Sequence, residues 1–329
     1  MKKAPDMFLS CDWGTSAFRL RLVETGALTT LAEVSSNEGI ANVFKQWQQN
    51  SVGDRLPFYL TVIQKHINLL EQKLDISVEN IPLIISGMAS STIGMLELEY
   101  KELPFSVDGS DLNVQRIETH NNFNHCIFLI SGVKSDSDVM RGEETQLVGC
   151  LAQTAEKADE QIVLLPGTHS KHVLIKKGIA VEIKTYMTGE FFDLLSQKSI
   201  LSVSVESGGD LSRRKNLQSF IKAISESQKI NLLHGSFRVR TNQLFEMLDK
   251  EQNYYYLSGL LIGSELQDLL KHSAVPIILV GNSSLMPLYS QALKTLLPKI
   301  NVISENSERA IVKGQFIIYK KGFNKYQVL

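Results

Sequence analysis

The sequence feature that most constrains the fold is a pattern of strand, short turn and strand that occurs once in each half of the chain. In the first copy, an apolar run over residues 7–11 meets the turn DWGTS, and residues 18–23 then alternate apolar and basic side chains. In the second copy, residues 162–165 meet the turn PGTHS before a returning strand. Glycine then turns each copy into a third strand. A period of two is typical of half-buried strands, so the pattern predicts two related halves that each open with a three-strand meander.

Helical and strand patterns alternate after each meander. The helical period is present over 56–74 in the first half and over 191–201, 216–230 and 243–270 in the second. Apolar strands at 82–85, 126–130 and 276–280 each end in a glycine-containing turn, and a helix over 285–296, a short strand and a closing helix follow. Strand, glycine turn and helix in this order predict an α/β fold. A polar stretch in the middle of the chain predicts domains at residues 1–155 and 156–329.

Composition limits the partners and the compartment. The chain has 34 basic and 35 acidic residues and a net charge of -1, so no overall field favours nucleic acid or an anionic membrane. The three cysteines show no close CxxC spacing, which argues against disulfides or a cysteine-based zinc site. No segment approaches the roughly 20 apolar residues of a membrane span, and the N-terminal apolar run is too short for a signal peptide. We therefore predict a cytoplasmic protein that holds any anionic ligand at a local site.

The two turns combine glycine with hydroxyl side chains. Glycine permits close approach of the backbone N–H groups to a phosphate, and two such turns on facing halves would clamp the β- and γ-phosphates across a cleft. Asp12 suits Mg²⁺, which prefers one or two carboxylates together with waters and phosphate oxygens. Ordinary hairpin turns and a solvated lysine are the alternative. The predicted phosphate-binding residues are Asp12, Gly14, Thr15, Ser16, Gly167, Thr168, Ser170 and Lys171, with Asp12 also as the metal ligand.

A second signal is the segment DVMRGEETQ over residues 138–146, which precedes an apolar helical stretch. Acidic residues at a helix start have an ordinary explanation, because they stabilise the positive end of the helix dipole. Arg141 is unfavourable there and is better explained by an anion such as a substrate carboxylate. Phosphoryl transfer to an alcohol also needs a carboxylate that accepts the hydroxyl proton, which Glu143 or Glu144 can supply.

A third candidate is the loop that follows the strand over residues 82–85. Ligands usually bind α/β sheets at the ends of such strands, although the loop is equally consistent with a simple connection. Its candidate substrate-binding residues are Gly87, Met88, Ala89 and Ser90. Two histidines, His169 and His172, flank the second turn without a partner at metal-ligand spacing, so a structural role is expected for them.

With these residues in hand, the sequence resembles the 2-dehydro-3-deoxygalactonokinase family, a branch of the superfamily that joins sugar kinases, heat-shock ATPases and actin. The resemblance rests on DWGTS at 12–16, Gly87-Met88, MRGEETQ at 140–146, LPGTHSK at 165–171 and MTGE at 187–190. Residues 257–263 resemble a further family segment, and Gly281, Asn282 and Ser283 occupy the place of the superfamily's adenosine-binding turn. The resemblance implies two actin-like (ribonuclease H-like) domains with an interdomain cleft.

The implied reaction is Mg²⁺-dependent transfer of the γ-phosphoryl group of ATP to the 6-hydroxyl of 2-dehydro-3-deoxy-D-galactonate. By the resemblance, the loop at 87–90 contacts the sugar acid, and the position of Gly142-Glu143 favours Glu143 over Glu144 as the base. The chain departs from the family after Gly94, where Met95 stands in place of a common tryptophan. A kinase for another sugar acid or keto sugar, and an ATP-binding assembly or sensor protein of the same superfamily, remain open alternatives. A homodimer is also left open.

Overall fold

The computed structural model describes residues 6–50, 53–118, 123–151, 158–272 and 274–326. The strands are β1 (Met7–Trp13), β2 (Phe18–Glu24), β3 (Thr30–Ser36), β4 (Leu83–Gly87), β5 (Lys101–Glu102), β6 (Phe105–Ser106), β7 (Val114–Ile117), β8 (Ile127–Ile130), β9 (Val133–Lys134), β10 (Val139–Met140), β11 (Glu160–Leu165), β12 (Ser170–Lys176), β13 (Ile179–Tyr186), β14 (Ile277–Gly281) and β15 (Val302–Asn306). The α-helices are α1 (Ile40–Asn50), α2 (Arg55–Leu74), α3 (Glu143–Leu151), α4 (Thr188–Lys198), α5 (Arg214–Ser227), α6 (Leu232–Leu244), α7 (Lys250–Glu265), α8 (Met286–Leu296) and α9 (Ser307–Tyr326).

The chain divides into two compact units, the first of which comprises Met1–Asp159, Lys176–Glu182 and Ser307–Leu329. The main sheet of unit 1 has the strand order β3-β2-β1-β4-β8-β7. The predicted meander forms its antiparallel side, while β1, β4 and β8 run parallel. The parallel register sets Asp12 beside Ser86 and Trp13 beside Gly87. Since parallel strands end at the same edge of a sheet, the first turn and the loop after β4 lie at one edge of unit 1.

Helix α2 covers one face of this sheet. Its start is capped by Asp54, whose side chain accepts a hydrogen bond from the N–H of Leu56, and it ends at Asp75 in the left-handed conformation with φ 53°. The apolar positions recur every three or four residues and are buried against the strands: Tyr59, Ile63, Ile67 and Leu70. Each such burial stabilises the fold by about 1.5–3 kcal/mol. The helix thereby fixes the sheet edge that carries the first turn.

Helix α9 packs against α3 within unit 1. The crossing is close because both helices carry glycine at the contact. A Cβ added at Gly149 would collide with the carbonyl oxygen of Ala310, and one added at Gly314 would collide with that of Thr145. This backbone contact explains why the last helix belongs to unit 1.

The division differs from the two continuous domains predicted over 1–155 and 156–329. Because α9 packs on α3, the end of the chain returns to the unit that contains its beginning. The predicted boundary itself, between residues 155 and 156, lies outside the described residues.

Unit 2 comprises Glu160–Ile175 and Ile183–Asn306. Its sheet contains β11, β14 and β15 as parallel neighbours, and β12 and β13 continue the strand order beyond β11. Leu164 and Leu279 of the parallel strands are fully buried, as are Phe220 and Ile224 of α5 and Ala292 of α8. These helices therefore cover a continuous apolar sheet, as the predicted α/β class requires.

One predicted element was wrong in its extent. The helix expected over 243–270 is broken: α6 ends at Leu244, Glu246 has a φ of 55°, and α7 starts from Asp249. Asp249 accepts from the N–H of Gln252, whose side chain accepts in return from the N–H of Asp249. This capping box fixes the N-terminus of α7 at Asp249, so α6 and α7 are separate helices. None of the helices within the described ranges combines the length and apolarity that crossing a membrane would require.

Candidate active site

The first predicted turn connects β1 to β2 and is hydrogen-bonded to the start of α1. The N–H of Gly14 donates to the carbonyl of Ala17 at 2.9 Å. The N–H groups of Ile40 and Ala41, at the start of α1, donate to the carbonyls of Gly14 and Thr15 at 3.0 and 3.1 Å. With the turn's carbonyls held in this way, the side chains of Thr15 and its neighbour Ser16 remain exposed. They are available to a ligand.

Asp12 lies at the mouth of this turn with 19% of its side chain exposed. Burial raises the pKa of its carboxyl group. Arg19, whose Nη1 lies 3.5 Å from Asp12 Oδ2, and Arg21 oppose this shift, whereas the nearby carboxylates of Glu143 and Glu308 add to it. The site thus concentrates acidic side chains around Asp12, and a bound cation would relieve their repulsion.

The loop after β4 and the segment before α3 meet at two glycines. Gly87 and Gly142 have φ angles of 95° and 113°, which side-chain-bearing residues rarely adopt. A Cβ at Gly142 would lie 3.3 Å from the Cα of Gly87, and a Cβ at Gly87 would lie 2.7 Å from the carbonyl oxygen of Trp13. The structure therefore brings the end of β1, the loop at 87–90 and the start of α3 together.

Arg141 is held rigidly between the loop and an aromatic ring. Its Nη1 donates to the carbonyl oxygen of Ser90 at 2.5 Å and to the hydroxyl of Ser90 at 2.7 Å. Its guanidinium carbon lies 4.1 Å from the ring centroid of Tyr100, a cation–π contact. The Nε–H is buried without a hydrogen-bond partner among the described residues. Ser90 and Ala89 are themselves buried, so within this loop Met88 is the predicted contact residue that is partly exposed.

The two candidate bases have different surroundings. Glu143 is partly exposed, and its Oε2 accepts from the N–H of Arg141 at 2.9 Å. Glu144 is fully buried, and its two oxygens accept from the N–H of Gly142 at 2.7 Å and the hydroxyl of Thr145 at 2.9 Å. Burial, with the neighbouring charge of Glu143, raises the pKa of Glu144 to about 7. Glu143 is therefore the accessible carboxylate of the pair, whereas Glu144 organises the start of α3.

This buried carboxyl group should make the stability of the protein depend on pH. Between the unfolded pKa of 4.5 and a folded pKa of about 7, the folded chain keeps a proton that the unfolded chain has released. The free energy of unfolding therefore falls as pH rises through this window, by a total on the order of 3 kcal/mol. Glu144→Gln should remove this slope. Denaturant titrations of the wild-type and Glu144→Gln proteins from pH 4 to 8 measure this slope. If the free energy of unfolding changed with pH in the same way in both proteins, the pKa of Glu144 would not be raised by folding.

The second predicted turn borders a cavity of about 280 Å³ in unit 2. This volume is close to the lower end of small-molecule pockets, about 300 Å³. The wall combines the turn, the start of α4, one side of α7 and the start of α8: Gly167, Thr168, Thr188, Gly189, Phe192, Asp193, Tyr254, Ser258, Leu261, Ile262, Ser284, Leu285, Leu288 and Tyr289. The cavity adjoins both the predicted phosphate turn and the segment that follows the predicted adenosine turn.

Predicted residues around this cavity have distinct positions. Thr168 is exposed, while Ser170 is buried and its hydroxyl lies 2.9 Å from that of Tyr289. Lys171 is buried and donates to the carbonyl of His169 at 2.8 Å. Asn282 accepts from the N–H of Leu285 and so supports the start of α8. Of the predicted turn residues, Gly167 and Thr168 line the cavity; Ser170 and Lys171 are directed elsewhere.

Further contacts join the second turn to α4. The N–H of Glu190 donates to the carbonyl of Thr168 at 3.0 Å, and the Glu190 carboxylate lies 2.6 Å from Nε2 of His169. A Cβ at Gly189 would lie 2.5 Å from the carbonyl oxygen of Gly167, so the helix start rests directly on the turn. Across the part of the chain that the structure describes, no group of three His, Cys, Asp or Glu side chains is placed to hold a metal.

Comparison with known proteins identifies the family. The family model for 2-keto-3-deoxy-galactonokinase matches residues 12–318. The chain belongs to the 2-keto-3-deoxy-galactonokinase family. Its members similar to this chain include a probable 2-dehydro-3-deoxygalactonokinase of Rhizobium meliloti (strain 1021), 31% identical over 93% of this chain and 94% of the relative. The 2-dehydro-3-deoxygalactonokinase of Escherichia coli (strain K12) is 32% identical over 69% of this chain and 75% of its own length.

Solved structures confirm the predicted fold of this galactonokinase family member. A Sinorhizobium meliloti protein described by the same kinase name matches with a TM-score of 0.78 and 28% identity, covering 95% of this chain and 96% of that one. The activator of the 2-hydroxyisocaproyl-CoA dehydratase from Clostridium difficile, solved with bound ADPNP, matches with a TM-score of 0.51 at 10% identity over 98% of each chain. The second match concerns the fold alone, which is that of the actin-like ATPases and sugar kinases.

Sequence reasoning missed the burial of Arg21, which lies in β2, the strand that follows the first turn. The alternation in β2 predicts that Arg21 faces solvent, yet its side chain is 2% exposed. Its Nε lies 2.6 Å from Glu33 Oε2, and its Nη2 lies 3.7 Å from Glu308 of α9. Gln315 of α9 likewise donates to the carbonyl of Cys11 at 2.8 Å. The contacts with Glu308 and Gln315 depend on a helix about 300 residues further along the chain, which no local pattern indicates.

Proposed function

We propose that this protein is an ATP-dependent kinase that phosphorylates the 6-hydroxyl of 2-dehydro-3-deoxy-D-galactonate. The observation that carries the proposal is the convergence, at one sheet edge of unit 1, of Asp12, the loop at 87–90 and the segment Arg141 to Glu143. Family membership supports the same activity. A cytoplasmic location and a homodimer stay predictions.

In the proposed reaction, Glu143 accepts the proton of the acceptor hydroxyl. The hydroxyl oxygen forms a bond to the γ-phosphorus, the bond from that phosphorus to the β,γ-bridging oxygen breaks, and ADP leaves. Glu143 suits this role because it is partly exposed and is oriented by the N–H of Arg141. Arg141 supplies a fixed positive charge for the substrate carboxylate, since Ser90 and Tyr100 restrict its rotamers.

The acidic surroundings of Asp12 fit a divalent cation. Burial and the charges of Glu143 and Glu308 raise the pKa of Asp12, so a bound cation would stabilise its ionised form. A single coordinating carboxylate matches Mg²⁺, which usually takes one or two carboxylates and completes its shell with waters and phosphate oxygens. Asp12 would hold the ion, which when bound would neutralise charge on the transferred phosphoryl group.

Each unit has its own part in nucleotide binding. In unit 1, the exposed hydroxyls of Thr15 and Ser16 are proposed to contact phosphate oxygens. In unit 2, the exposed hydroxyl of Thr168 is proposed to contact phosphate, and the cavity beside Gly167 and Thr168 to take the nucleoside. Ser284 and Leu285 line this cavity, so the segment after Gly281, Asn282 and Ser283 contributes to the proposed nucleoside site.

A coupled assay of ADP release tests the function. The purified protein should release ADP from ATP and Mg²⁺ when 2-dehydro-3-deoxy-D-galactonate is added, and the product should carry phosphate at the 6-position. The panel should include other aldonates, keto sugars and a no-acceptor control. Turnover with a different acid would revise the substrate, whereas nucleotide binding without turnover on any acceptor would contradict a kinase.

Arg141→Lys tests the recognition of the acid group. Lysine keeps the charge but loses the planar fork and the stacking on Tyr100, so we expect the acceptor's KM to rise by the equivalent of roughly 1–3 kcal/mol. The KM for ATP should change little. A neutral keto sugar that the wild-type protein accepts serves as the control, because its KM should rise less. An equal rise for neutral and acidic acceptors would assign Arg141 to loop structure alone.

A further inference from the structure

A buried carboxylate lies behind the second turn of unit 2. Glu265, the last residue of α7, has 1% of its side chain exposed. Its Oε1 lies 2.9 Å from Nε2 of His172, and its Oε2 accepts at 2.5 Å from the hydroxyls of both Thr188 and Tyr289. One carboxylate therefore connects α7 to β12, α4 and α8. Such a buried charge is tolerated because each oxygen is hydrogen-bonded.

The hydrogen bonds from the turn to this carboxylate have a defined direction. A carboxylate only accepts, so the Tyr289 hydroxyl must give its single proton to Glu265. The Ser170 hydroxyl, 2.9 Å away, must then donate to the Tyr289 oxygen. The N–H of Gly167 in turn donates to the Ser170 oxygen at 3.4 Å. The chain of donors therefore runs from Gly167 through Ser170 and Tyr289 to Glu265.

This direction fixes what the turn can offer a ligand. The proton of Ser170 and the N–H of Gly167 are committed to the interior, which leaves Thr168 as the exposed hydroxyl of the turn. Thr188 and Tyr289 also line the cavity beside the turn. Glu265 thus contacts the cavity wall at two residues without lining the cavity itself.

We propose that Glu265, acting through Tyr289 and Ser170, is a positioning residue that holds the second turn in the conformation that binds nucleotide phosphate. Removing the connection leaves the core filled but frees the Ser170 hydroxyl and the Gly167 backbone to rotate, so that the turn no longer keeps one conformation. This inference rests on the proposed role of the second turn in nucleotide binding. It goes beyond that role by assigning the turn's conformation to a carboxylate that no ligand touches.

Tyr289→Phe and Ser170→Ala test the connection while keeping the packing. The dissociation constant of a non-hydrolysable ATP analogue is measured by titration calorimetry without acceptor, and the KM values of ATP and acceptor are measured separately. Each single variant should weaken nucleotide binding about 10-fold, as expected for one lost hydrogen bond. The KM for the acceptor should stay within about 2-fold of wild type. The double variant should be no weaker than either single, because both break the same chain.

Tyr255→Phe is the matched control, since it removes the hydroxyl of another buried tyrosine of unit 2, which donates to the carbonyl of Gly209 instead. Its nucleotide affinity should equal that of wild type. Glu265→Ala should weaken nucleotide binding at least as much as Tyr289→Phe, because the Thr188 and Tyr289 hydroxyls lose their acceptor, and Glu265→Gln, which keeps one acceptor oxygen, should lose less affinity.

Several outcomes would overturn the inference. Additive losses in the double variant would mean that Tyr289 contacts the nucleotide independently of Ser170. Equal losses in Tyr255→Phe, or equal rises in both KM values, would indicate a general structural effect. The wild-type protein distinguishes this inference from the proposed function. If it bound the ATP analogue but phosphorylated no acceptor, the proposed kinase activity would be rejected and the inference about the second turn would stand. If it bound no nucleotide, both would be rejected.

Discussion

Glu143→Gln is expected to lower kcat by about 10²–10⁴-fold and to leave the acceptor's KM nearly unchanged. Glutamine has the same shape, and its carbonyl oxygen can still accept from the N–H of Arg141, as Oε2 of Glu143 does at 2.9 Å. It cannot take the proton of an acceptor hydroxyl. The loss should therefore fall on the chemical step, which single-turnover measurements separate from substrate binding.

The neighbouring variant Glu144→Gln is the matched control. Its side chain is fully buried, so it should lose one hydrogen bond to Gly142 or Thr145 and less than about 10-fold in kcat. An inactive Glu144→Gln beside an active Glu143→Gln would assign the base one residue later. Full turnover in both variants would reject the placement of the base in this segment.

Asp12→Asn is expected to lower kcat by about 10²–10³-fold, because the neutral amide no longer holds a divalent cation near the transferred phosphoryl group. The fold should persist, since the side chain is partly exposed and its size is kept. The activity lost should not return at high Mg²⁺ concentrations. Circular dichroism and thermal unfolding, run beside the kinetic assay, check that the variant is folded.

Asp75→Asn gives the same chemical change at an exposed position of unit 1, at the C-terminus of α2. Asparagine tolerates the left-handed conformation of this residue, so activity and stability should match wild type. Near-normal turnover of Asp12→Asn at saturating Mg²⁺ would show that another group holds the cation.

Local patterns were sufficient for much of the fold. The meander at the start of each half was predicted within a few residues because period-two alternation and glycine turns are encoded in short segments. Helix α1 was missed between Gly39 and the polar residues near Asn50. The break before α7 was missed although Asp249 and Gln252 have the spacing of a capping box. These signals were present in the sequence, but a continuous apolar pattern concealed the break.

The same division applies to the site: residues marked by local patterns were predicted, and contacts between distant segments were not. Asp12, Gly87 and Glu143 were singled out because turn glycines and acidic helix starts are local features, although their proposed roles stay predictions. The burial of Arg21 and the contact between Tyr289 and Ser170 could not be foreseen. Each depends on residues far apart in the chain, and the first depends on which face of the sheet α9 covers.

The return of α9 to unit 1 affects how the protein can fold as it is made. The chain leaves the ribosome from its N-terminus, so the segment Ile183–Asn306 of unit 2 emerges before α9. Helix α3, which begins with Glu143, lacks its packing partner until Gly314 has been synthesised. Although unit 1 starts the chain, it should be the last to complete its core during translation, in contrast to the usual N-terminal-first order. A nascent chain that has emerged from the exit tunnel up to residue 306 would therefore have a complete unit 2, while α3 would still lack its packing partner.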